Sequence, residues 1–220
     1  MRCFVGSLVL LSAFVASATL AQSDPGASLR AAAERGQTDK VAELTKMGAS
    51  VDAKDGAGQT ALLLAVAGGH TAVAKVLIDA GADINAQARN QDSPWLLAGA
   101  RGRAEILRLM LPKGPDYGLR NRFGGNALIP ACERAHVEAV EVLLTSKIDV
   151  NHVNNLGWTC LLEIVILGDG GPSHIAVTKQ VLAKGANPNI ADKDGVSPLT
   201  HARRKGQAEI AKLIVAAGGK

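Results

Sequence analysis

Aromatic residues are scarce in this chain, at 3% of the total: two Trp, one Tyr and three Phe. Rings carry the largest apolar payload per residue, so a single large core usually contains more of them. Their shortage excludes such a core and favours thin layers of small residues, in which helices approach closely. Strong charge is missing too. The formal net charge is +4, which does not imply strong nucleic-acid binding. The common signatures of chemistry are also absent. The sequence has no Gly-x-Ser-x-Gly, no phosphate-binding glycine loop after a strand and no His-Glu-x-x-His. Its histidines form no close pair with metal-ligand spacing. We therefore expect no enzyme, no cofactor and no metal.

The first residues read as a targeting signal. Arg2 gives a short positive start, Leu8 to Val15 an apolar stretch, and Ala16-Ser17-Ala18 and Thr19-Leu20-Ala21 two small-residue cleavage points. The second is preferred, giving a leader over 1–21 and a folded domain over 22–220. The competing reading is a retained membrane anchor, but Phe4 to Ala21 is near the lower length limit and is diluted by Gly6, Ser7, Ser12, Ser17 and Thr19. A periplasmic or secreted location is expected, without stable membrane association after cleavage. Cys3 leaves with the leader.

The rest of the chain, 47% hydrophobic overall, is periodic. Thr60-Ala61-Leu62-Leu63, Ser93-Pro94-Trp95-Leu96, Asn126-Ala127-Leu128-Ile129, Thr159-Cys160-Leu161-Leu162 and Ser197-Pro198-Leu199-Thr200 start 33, 33, 33 and 38 residues apart. A degenerate first copy begins at Ala27. Small residues recur five places in, at Ala32, Ala65, Ala98, Ala131 and Ala202. Glycine recurs near the unit's end, at Gly48, Gly81, Gly114, Gly185 and Gly218, with Lys147 the exception. Thr60 and Ser93 are helix caps, proline fits a first helical turn, and Gly81 ends a helix in the left-handed region. The spacing predicts helices over 60–67 and 72–80, then an extended finger over 83–91 that turns back like a hairpin. The expected core joins Leu62, Trp95, Leu128, Leu161 and Leu199 to Leu44, Leu77, Met110, Leu143 and Ile214. Each unit is completed only by its neighbours.

This pattern resembles the ankyrin repeat, with its Thr-Pro-Leu-His start, Gly-His turn and Gly-Ala-Asp-Val-Asn end. The resemblance implies an all-α solenoid of about six helix-turn-helix units, starting near 27, 60, 93, 126, 159 and 197. It also implies that partners dock on the finger tips and on the inner faces of the first helices. Short chains of this type with a leader are similar to proteobacterial proteins, some linked to periplasmic catalase and oxidative defence, others to immunity against secreted toxins. A non-catalytic, monomeric protein-binding scaffold is the leading reading, with those two roles and a membrane-anchored structural protein as alternatives.

Several residues draw more specific expectations. Cys132 lies six places into its unit and Cys160 one place into the next, so in-register stacking separates them beyond the roughly 7 Å limit for a disulfide; both are expected as packed free thiols. His70, His136 and His174 hold the Gly-His turn position. His152 sits on a finger and His201 on an inner helix face, neither with an evident partner. The run Gly168 to Pro172 reads as an insertion that lengthens the turn between two helices. Tyr117, Phe123 and Trp158, with Leu156, fall on fingers, where rings expose apolar surface unless a partner covers them. Residues 89–134 hold eight basic and four acidic residues, an excess equal to that of the whole chain. We expect Tyr117, Phe123, Leu156, Trp158, Arg101, Arg120 and Arg122 to bind an acidic protein surface.

Overall fold

The computed structural model describes residues 24–220; the expected leader and its cleavage points lie outside that range. The described chain has twelve α-helices in six consecutive pairs and no strand. The pairs are α1 (Pro25–Glu34) with α2 (Thr38–Lys46), α3 (Ala61–Gly68) with α4 (Thr71–Asp79), and α5 (Pro94–Ala100) with α6 (Ala104–Met110). They continue with α7 (Leu128–Glu133) and α8 (Val137–Leu144), α9 (Cys160–Leu167) and α10 (Pro172–Ala183), and α11 (Pro198–Arg204) and α12 (Ala208–Ala216). One 3-10 turn, Leu111–Lys113, extends α6 where Pro112 withdraws a backbone donor.

Local chemistry sets the helix starts. The side-chain oxygens of Thr60, Ser93, Thr159 and Ser197 accept from the backbone N–H three residues on. Asn126 does the same work by accepting from both Leu128 and Ile129, and its helix starts one residue later than its counterparts. In the first unit the cap is Asp24, ahead of the expected start at Ala27, and Pro25 occupies the first helical turn.

First helices contact one another in the order α1, α3, α5, α7, α9, α11, and second helices follow in a parallel layer from α2 to α12. The core runs unbroken between the layers. It contains all ten of the apolar residues expected there, from Leu44 at 8% exposure to Leu62, Leu77, Leu128 and Leu143 at 0%. Each such leucine contributes about 1.5–3 kcal/mol by leaving water.

Turns and side-chain rungs, not strand ladders, build the fingers. Asp55, Asn121, Asn154 and Asp192 each accept two backbone N–H groups of their own finger. Between fingers, Arg89 N–H donates to the Ala57 carbonyl and Asn155 N–H to that of Phe123. The amides of Asn85, Asn151 and Asn189 reach the carbonyls of Gly114, Gly185 and Gly218.

The structure corrects two expectations. Cys132 and Cys160 form a disulfide, with their Cα atoms 5.5 Å apart. The error lay in the stacking register. Neighbouring first helices are staggered, so the sixth position of one unit meets the first position of the next. A Cβ on Gly99 would meet the Ala127 carbonyl oxygen, at the same 28-residue offset as the two cysteines. The insertion also does more than lengthen a turn. Compared with the second unit, two of its five residues enlarge the turn and three extend the second helix, giving α10 its 12 residues from Pro172.

Candidate functional site

The fingers and first helices form one face of the stack, and the residues expected to bind divide on it. Phe123 and Leu156 stand on adjacent fingers at 51% and 48% exposure. The Arg122 guanidinium lies 4.7 Å from the centre of the Phe123 ring, which steadies the arginine while most of the ring stays open. Arg101 and Arg122 are exposed. Tyr117 and Trp158 are half-buried against the core, so the expectation of three exposed finger rings holds for Phe123 alone. Tyr117 meets Trp95 edge-on, with ring centres 6.1 Å apart. Arg120 turns back to donate to the carbonyls of Tyr117 and Leu119, bracing its own finger.

Between the third and fourth units the face sinks into a groove of about 700 Å³. Leu97 from α5, Pro130 from α7 and Phe123 supply apolar side chains to its lining. Arg101, Arg103, Arg122 and Arg134 surround it, with Asp92 and Glu133 as the opposing acids. None of the four arginines takes part in an ion pair among the described residues. Arg103 and Arg134 were counted in the basic excess but not singled out from the sequence. The signal was the repeat itself: Arg103 stands where other units carry His70, His136 or Gln207, and Arg134 aligns with Arg101.

Electrostatics around the groove follow from burial. His136, in its wall, is held below its ordinary value by desolvation and by Arg134 and Arg103, against a hydrogen bond with the Ala100 backbone. One unit further along, burial and the nearby Glu133 carboxylate push the Glu163 carboxyl up to about 7, against the Asn154 amide that donates to it at 2.9 Å.

The turn-position side chains share a structural task. His70 and His174 donate through Nε2 to the carbonyls of Glu34 and Glu133 in the preceding unit. Arg103 and Gln207 do the same to Ala67 and Gly168. His152 and His201, for which no partner was expected, both have one: the Gly124 carbonyl at 2.6 Å and the Asp192 carboxylate at 2.7 Å. Among the described residues no cluster of His, Cys, Asp or Glu is suited to holding a metal ion.

Comparison with known proteins places these features in context. Residues 10–88 and 95–171 match the profile of ankyrin repeats in sets of three copies. Over 72 residues the chain is 47% identical to YahD, an ankyrin repeat protein of Escherichia coli K12; this stretch is 33% of the chain and 36% of that relative's length. A crystal structure of an ankyrin repeat domain from Acinetobacter baumannii superposes with a TM-score of 0.84 at 48% identity, covering 87% of this chain and 98% of that one. The ankyrin repeat protein EF0377 gives 0.83 at 40% identity, covering 86% and 97%. The ankyrin repeat domain of Bcl-3, a member of the IkappaB family, gives 0.77 at 26%, covering 88% and 86%.

Proposed function

The chain belongs to the ankyrin-repeat family, and from that premise we propose that it is a non-catalytic scaffold binding another protein in the periplasm or outside the cell. Ankyrin repeats generally mediate protein–protein interaction. The observation that carries the reading for this chain is the finger face, where Phe123 and Leu156 expose apolar surface beside the free guanidinium groups of Arg101 and Arg122. Aromatic and arginine residues grouped in this way are typical interface anchors.

The two cysteines bear on the compartment. Structural disulfides persist in oxidising environments and are rare in the cytosol. A pair at 0% and 1% exposure between two units suits an oxidising compartment, in keeping with the leader read from residues 1–21. No helix of the described residues is long and apolar enough to cross a membrane.

Affinity purification from an envelope extract of the native host tests the proposal. We expect the wild-type chain to recover a defined protein and the Phe123→Ala plus Leu156→Ala variant to lose it. A toxin or a catalase among the recovered proteins decides between the immunity and oxidative-defence roles. Equal recovery by both chains overturns the finger face as the docking surface.

A further inference from the structure

The groove between the third and fourth units carries a more specific assignment, which rests on the protein-binding reading. We infer that it receives an extended acidic segment of the partner protein, with carboxylates among the four arginines and an apolar side chain against Leu97, Pro130 and Phe123.

Two observations lead there. The first is charge. Arg101, Arg103, Arg122 and Arg134 converge on one concavity that offers them only Asp92 and Glu133, and none of the four is ion-paired. Planar guanidinium groups suit carboxylates, which they bind through paired hydrogen bonds.

The second is backbone strain. Among the described residues only Gln91 and Ala135 adopt positive φ without being glycine, at 65° and 51°. Their equivalents in other units are glycines: Gly58, Gly124, Gly157 and Gly195 for Gln91, and Gly36, Gly69, Gly102 and Gly206 for Ala135. Both flank the groove, Gln91 between the lining residues Asn90 and Asp92, and Ala135 between Arg134 and His136. Strain of this kind gathers at binding sites.

The size of the groove selects the form of the guest. A concavity of about 700 Å³ has room for a few residues of extended chain. The apolar side chains of Leu97, Pro130 and Phe123 in its lining set it apart from a site for a free inorganic anion.

The test uses the disulfide-bonded full chain and a fluorescent peptide of alternating Asp or Glu with Leu or Val, followed by anisotropy at low and moderate salt. The reference peptide carries Asn and Gln at the acidic places. Arg101→Gln plus Arg122→Gln removes two guanidinium groups that make no hydrogen bond in the fold, and Arg108→Gln plus Lys212→Gln removes the same charge from second helices. We expect the acidic peptide to bind the wild type and the second-helix variant alike, and the groove variant and the amide peptide each to lose about tenfold in affinity. Absence of binding to the wild type overturns the inference, as does equal loss in both variants or tighter binding of a single-stranded dT oligonucleotide. If partner recovery from the extract depends on Phe123 and Leu156 but not on Arg101 and Arg122, the protein-binding reading stands and the groove assignment falls.

Discussion

Two residues hold conformations that the other units leave to glycine. Gln91 and Ala135 sit in the left-handed region, where a side chain costs of order 1–3 kcal/mol. Replacing them by glycine relieves that strain and returns part of the gain through the greater freedom of the unfolded chain. For Gln91→Gly and Ala135→Gly we expect a net stabilisation of about 1 kcal/mol each, or a rise in Tm of about 2–4 °C for a chain of this size. Thermal unfolding followed by circular dichroism measures it. A fall in Tm for either variant would mean that the side chain makes contacts worth more than its backbone strain. Both residues were visible in the sequence as breaks in a glycine series. Their meaning was not, because only the backbone angles show that a series is kept in conformation while it is lost in residue type.

At the scale of elements, the Cys132–Cys160 disulfide ties α7 to α9. The α7 helix has only six residues and begins late because Asn126 caps it differently from the Thr and Ser caps elsewhere. A covalent link closing 28 residues removes unfolded-chain entropy worth about 3–4 kcal/mol in the loop-closure account. The chosen replacement is Cys132→Val with Cys160→Ala, because Val66 and Ala61 occupy the same positions in the second unit. Urea unfolding of this variant should show a loss of about 2–4 kcal/mol, matched by reduction of the wild-type chain. A change below about 0.5 kcal/mol, the size of an ordinary surface substitution, would show the link to be incidental.

The helices themselves were legible within a residue or so from the Thr, Ser and Gly punctuation, as α3 at Ala61–Gly68 and α4 at Thr71–Asp79 illustrate. The disulfide was not, since a linear repeat fixes which positions are equivalent but not how far one helix slides against the next. The extension of α10 was missed for a related reason. Pro172 was read as loop punctuation, whereas it occupies the first helical turn, a place proline suits well.

At the scale of the whole molecule, stacking leaves two unlike surfaces. The second helices carry paired charges such as Lys75 with Asp79 and Lys212 with Glu209, each pair contributing little. The finger and first-helix face carries the unpaired arginines and the exposed Phe123 and Leu156. The sequence located the basic excess in the central units and both members of the exposed apolar pair, Phe123 and Leu156. It did not distinguish Tyr117, Trp158 and Arg120, which brace the fingers, from Phe123, Leu156 and Arg101, which face outward. That division depends on which way each side chain leaves its turn, and residue type alone does not encode it. The groove is likewise a property of neighbouring units, formed where the arginines of one meet those of the next.

Amide hydrogen exchange on the chain, free and bound to the protein it recovers from the envelope, tests the central claim most directly. The account predicts slowed exchange in fingers 89–92, 121–125 and 153–157 and in α5 and α7, with α4, α6 and α8 unchanged. Protection confined to the second helices, with the fingers exchanging as freely as before, would contradict it.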